Sequence, residues 1–130
     1  NAFMENANLS EGYGYGASFK NAVMSGVYFM GALMRNSDLS NTINEGSDFS
    51  RADLSNSNLT GANMYHSKLV STNFTQAILD KANFSGSILI NTIFNESSMN
   101  ETTGLTESSK ALGVPDPNMK EVPEVKPLEK

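Results

Sequence analysis

One histidine, no cysteine and a scatter of carboxylates are all this 130-residue chain offers toward a reactive centre. Ser and Thr supply hydroxyl nucleophiles in quantity, but a hydroxyl needs a general base within hydrogen-bond reach. His66 is the sole imidazole and has no acidic neighbour in sequence to orient it. Asp38, Glu45, Asp48 and Asp53 are the densest group of carboxylates, the raw material of an acid/base pair, and Arg35 and Arg51 are interleaved with them. The absence of cysteine excludes a disulfide framework, a zinc ribbon and a thiol nucleophile. A single histidine excludes a multi-His metal site. Glycines recur at 26, 31, 46, 61 and 86, yet no Lys-Ser/Thr follows them and no strand-to-helix context surrounds them, so they are not a phosphate-binding loop. No catalytic, cofactor-binding or metal-ligating residue is assigned.

The elements that would have to position such groups are set by composition and period. Nine basic and fourteen acidic residues give a formal charge of −5, which argues against a protein that grips nucleic-acid phosphates. The longest apolar run, Val27 to Met34, contains Gly31 and is too short to span a bilayer, so no direct membrane insertion is expected. The first residue is Asn1, not Met, as in a processed form or a fragment.

Counting in fives from Met4 to the last centre at Met99 gives twenty units without an insertion. Eighteen centres are Leu, Phe or Met; Gly14 and Asn44 are the exceptions. Two residues before each centre stands a small residue, mostly Ala, Ser or Thr, and the residue just before it is often Asn or Asp. Ala52-Asp53-Leu54-Ser55-Asn56 and Ala82-Asn83-Phe84-Ser85-Gly86 show the unit in full. A period of five matches neither a 3.6-residue helix nor a two-residue strand. It fits a coil that turns a corner at each unit, with the centre and the small residue pointing inward.

This pattern resembles the pentapeptide-repeat family over residues 2 to about 101. The resemblance implies an all-β chain wound as a right-handed four-sided parallel β-helix, a solenoid of about five coils with twenty residues in each. Residues twenty apart then stack, giving interior columns such as Met4-Met24-Asn44-Met64-Phe84. Gly14 lies within Gly12-Tyr13-Gly14-Tyr15-Gly16 and predicts an irregular first coil on that side. Asn44, as a buried amide, is expected to bond backbone or a trapped water. Residues 102–113 predict a short capping helix, with Thr106 as N-cap and Gly113 as its stop. Residues 114–130 hold all four prolines, at 115, 117, 123 and 127, and predict an extended Pro/Glu/Lys tail or linker.

The outward positions carry the functional expectation. Tyr13, Tyr15, Tyr28, Met30 and Leu33 fall on two adjacent faces near the front of the rod, with Phe3, Val23 and Ile43 on another. Ile88, Ile90 and Ile93 lie on those same two faces at the far end, where the tail is expected to cover them. Exposed aromatic and Met clusters mark protein contacts, so the reading is a non-enzymatic interaction or scaffold module without cofactor. Its partner is another protein meeting an apolar end of the rod, or a second copy as a homodimer. By resemblance alone, an accessory subunit or assembly factor of a membrane-bound, photosynthetic-type complex fits, with the thylakoid lumen or another extracytoplasmic site as its location. The alternative comes from the family's quinolone-resistance proteins, which mimic duplex DNA and bind gyrase. That role would need a column of acids, whereas residues 1 to 104 carry nine acids and five bases, a net of −4, with no acidic column on one face.

Overall fold

The computed structural model describes residues 2–105. They wind as a four-sided parallel β-helix: each of the seventeen bridges joins residues twenty apart, from Phe3↔Val23 to Asn83↔Thr103. Coil one is residues 2–21, and coils two to five follow as 22–41, 42–61, 62–81 and 82–101. The four sides start at residues 2, 7, 12 and 17 of coil one and at the positions twenty, forty, sixty and eighty later. Each side is three residues long, and the corner after it takes two more. The middle residue of a side makes both ladder bonds, as when Val23 donates its N–H to Ala2 O at 2.8 Å and accepts from Met4 N at 2.9 Å.

Every corner except the one after Leu89 is closed by a bond from the next unit to the centre's carbonyl, for example Ala22 N to Phe19 O at 2.9 Å. The last residue of each of the twenty units has a φ near +60°, the mark of a type II turn. Gly and Asn, which enter that region most readily, fill twelve of the twenty places, and Glu11, Arg51, His66, Ser71, Gln76, Lys81, Glu96 and Glu101 fill the others. A left-handed conformation costs an ordinary residue roughly 1–2 kcal/mol. The ladders to the neighbouring coils hold each corner there.

The interior is a stack of centres. Phe29 lies flat on Phe49 with centroids 4.7 Å apart, and Phe74 on Phe94 at 5.4 Å. Both pairs fall within stacking range. The small residues do more than admit the backbone. Ser47, Ser57, Ser67, Thr72, Ser87 and Thr92 donate their hydroxyls to a centre's carbonyl twenty-three residues earlier, tying one coil to the last. The Asn or Asp before a centre accepts from the residue after it, as in Asp38 with Ser40 and Asn58 with Thr60. These Asx turns bury Ser40, Ser50 and Ser55, where the repeat pattern alone places the residue after each centre in solvent.

One expectation changes and two are narrowed. Gly14 keeps the register, with Tyr13 bridged to Leu33 and Gly14 N bonded to Leu33 O at 2.7 Å, so coil one is regular on that side. Asn44 bonds side chains and not backbone: its Nδ2 donates to Thr42 Oγ1 at 2.7 Å and to Met64 Sδ at 3.3 Å. Its Oδ1 has no protein partner. Residues 102–105 are not helical; Thr103 continues the ladder to Asn83, and Leu105 packs on the core. The rest of the expected helix, 106–113, and the Pro-rich segment 114–130 lie outside the described residues.

Candidate interaction surface

The residues that chemistry would need are kept apart by the coil. Asp38 stands on the fourth side, Asp48 on the second, Asp53 on the third and Glu45 at the first corner. Among the described residues one ion pair forms, Arg35 Nε to Asp53 Oδ2 at 3.8 Å, and no group of three or more His, Asp or Glu side chains could hold a metal ion. His66 sits at a corner, stacks on Tyr65 at 3.9 Å, and lies over Gly86. That position has φ +70° and no room for a Cβ beneath the imidazole, so Gly86 answers two demands at once. The Ser40 hydroxyl holds the Asp38 carboxyl below the usual carboxylate range; its N–H and Lys20 add to this, against the opposing pull of partial burial. For Asp80, burial acts upward, but bonds from Ser98 and Asn100 outweigh it and the carboxyl ends lowered. Both are structural turn carboxylates.

The apolar residues, in contrast, are gathered. Tyr28 is the outward residue of the second side in coil two, Met30 stands at the next corner, and Leu33 is outward on the third side directly beneath Tyr13. Tyr15 stands at the corner beyond Tyr13. Exposure falls from 87 % at Tyr13 and 73 % at Tyr15 to 49 % at Tyr28 and 45 % at Leu33, and Met30 is half-buried. The strip follows the twist of the sequence code. Around the centres Gly14 and Phe29 the flanking residues that turn outward are large and apolar, as is Leu33 before Met34.

Beside the strip lies a notch that sequence reasoning did not foresee. Gly14 occupies a centre without a side chain, leaving an apolar opening of about 90 Å³ lined by Leu9, Tyr13, Phe19, Phe29 and Met34 among others. The signal was the Gly at a centre position; its meaning is a gap in the column. At the other end, Ile88, Ile90 and Ile93 recur on the same two sides and the corner between them, with Ile88 and Ile90 exposed and Ile93 half-buried.

A rod of five-residue units with inward Leu, Phe and Met and type II corners defines a class. The pentapeptide-repeat pattern matches in eight copies, over residues 15–43, 34–69, 45–76 and 67–103, and the chain belongs to the pentapeptide-repeat family, whose fold is a right-handed β-helix. No curated protein matches it as a sequence relative. Among solved structures, a pentapeptide-repeat protein of the Arabidopsis thaliana thylakoid lumen is 20 % identical with a TM-score of 0.60, over 68 % of this chain and 65 % of that one. QnrB1, a plasmid-mediated fluoroquinolone resistance protein, is 20 % identical with a TM-score of 0.53, over 77 % of this chain and 59 % of its own. The chain therefore spans less than two thirds of the length of either protein. At this identity the likeness is one of fold. The repeat is a structural unit, and no catalytic residue comes with it.

Proposed function

We propose that this chain is a non-enzymatic protein-interaction module, an accessory subunit or assembly factor that meets its partner through Tyr13, Tyr15, Tyr28, Met30 and Leu33. The observation that carries the reading is the continuity of those five side chains across two sides and two corners of coils one and two. Aromatic and Met side chains are the residues that dominate interface cores, and a rigid solenoid presents them without loss of chain entropy on binding. We extend the proposal to a partner in a photosynthetic membrane complex, since the same fold occurs in a thylakoid-lumen protein. A topoisomerase partner is disfavoured by charge. Asp38, Asp48 and Asp53 point to three different sides, and Arg35, Arg51 and Lys68 stand among them.

The test is a pull-down from native extract read by mass spectrometry, with the parent beside a Tyr28→Asp, Leu33→Asp variant of unchanged circular dichroism. One complex recovered by the parent and lost by the variant is the expected outcome. Equal recovery by both removes the strip as the contact surface.

A further inference from the structure

The second side of the rod reads almost the same from either end. Its outward column, from coil two to coil five, is Tyr28, Asp48, Lys68 and Ile88: apolar, acidic, basic, apolar. The corner beside it repeats the theme, with Met30 in coil two and Ile90 in coil five. About the level between coils three and four the column is complementary, and the corner has apolar ends, with Ser50 and Val70 between Met30 and Ile90. A twofold axis placed there, perpendicular to the rod and lying in the contact plane, carries coil two onto the partner's coil five and coil three onto its coil four. Tyr28 then meets the partner's Ile88, Asp48 meets its Lys68, and Met30 meets its Ile90, each contact occurring twice. Isologous dimers require this self-complementarity.

We infer that the second side is an antiparallel, side-by-side dimer interface between two copies of this chain. The inference rests on the reading of Tyr28 and Met30 as contact residues and names a second copy as what covers them. Charge supports it. Asp48 and Lys68 are bridge neighbours in one chain, yet they make no ion pair within 4.0 Å among the described residues; half-buried Asp48 uses Oδ1 to accept the Ser50 N–H, which leaves Oδ2 for the opposite charge across the axis. Tyr28, Ile88 and Ile90 are exposed, and so is Lys68. Like-charge clashes in the parallel arrangement, Asp48 on Asp48 and Lys68 on Lys68, select the antiparallel one. Area sets the strength. A side of roughly 24 Å, from coils spaced about 4.8 Å apart, is a small patch, in the class of interfaces below about 1,200 Å² that associate transiently. The dimer forms and dissociates over the micromolar range.

Sedimentation velocity from about 5 to about 500 µM, the range for so small a contact, tests it on the full chain. The expected result is a shift with concentration from the 14.0 kDa monomer toward twice that mass. Asp48→Lys and Lys68→Asp, each alone, abolish the shift, and the Asp48→Lys, Lys68→Asp double variant restores it. A parent that stays monomeric throughout, or a shift indifferent to the single reversals, overturns the proposal. Because a reversal could disturb folding, register is tested separately with the chain's lack of cysteine. A mixture of Tyr28→Cys and Ile88→Cys chains forms a disulfide-linked heterodimer under mild oxidation, and neither chain alone does so. Within one rod the two positions are three coils apart, about 14 Å, too far for an internal bridge. Cross-linking of Tyr28→Cys to itself overturns the antiparallel register. If the Tyr28→Asp, Leu33→Asp variant loses a complex from extract while the parent remains monomeric, the dimer is refuted and the interaction-module reading stands.

Discussion

Coils one and two and coils three to five share one backbone and hold it in different ways. In residues 2–41 the small inward position is Ala, Gly or Val at every unit but Ser37; from Thr42 onward Ser and Thr predominate there. The hydroxyls that tie one coil to the last therefore begin at Ser47 and run through Thr92 and Thr102. Outside, the order reverses. The front coils expose Phe3, Tyr13, Tyr15, Tyr28 and Leu33, whereas the outward columns of coils three and four are mostly Asn, Asp and Lys. The centres Met4, Leu9 and Phe19 are only partly buried, while Phe49, Phe74, Phe84 and Phe94 are fully so. One five-residue code can thus build a well-tied shaft and a more apolar, less tied front from a change in two positions per unit. The shaft suits stability, and the front suits contact.

Substitutions can break this contrast or sharpen it. Phe49→Ala removes a fully buried ring stacked on Phe29 and is expected to cost about 3–5 kcal/mol in urea denaturation. Phe19→Ala in coil one should cost clearly less, and equal losses would erase the difference between the regions. Asn44→Leu removes a buried amide whose Oδ1 lacks a protein partner, so a gain of about 1–3 kcal/mol is expected. A lower melting temperature would show instead that the bonds to Thr42 and Met64 are needed.

Thr72→Val deletes the hydroxyl that binds Phe49 O and should cost about 1 kcal/mol. The reciprocal change, Ala32→Ser, puts a hydroxyl twenty-three residues after Leu9 and should gain up to about 1 kcal/mol. No gain there would mean that the front coils are spaced differently from the shaft. The smallest effect is acid sensitivity through Asp38. Its folded pKa lies below the unfolded value of about 3.9, so its stabilisation is complete above that pH and is lost as pH falls through the folded pKa. Ser40→Ala should flatten that part of the acid limb of a thermal-melt pH profile and leave the neutral plateau almost unmoved.

Much of this was legible in the residues. The period of five, the inward centres and the corner positions followed from spacing, and the outward strip from Tyr13 to Leu33 followed from the period. Other features were not. Gly14 read as irregularity because it lies in a run of alternating Gly and Tyr; the ladder to Leu33 holds it in register, and the missing side chain appears as a notch. Asn44 read as a residue seeking backbone or a trapped water, whereas its Nδ2 reaches the side chains of Thr42 and Met64. The Asn-x-Ser/Thr triplets at Asn58, Asn73 and Asn83 are Asx turns, which identifies them as part of the repeat code. Gly104 carried no signal at all. It has φ +85°, and a Cβ there would run into the Phe84–Ser85 backbone, so the chain passes close to the preceding coil at that point.

The sequence by itself determined which residues face in and which face out, because a five-residue period maps each position onto one place in the coil. It determined the class of fold for the same reason. Only the tertiary structure decided which hydroxyls join coils. Those relations link positions twenty and twenty-three apart, and they exist only once one coil lies on the next. The ties from Ser47 to Met24 O and from Thr92 to Leu69 O are products of that stacking.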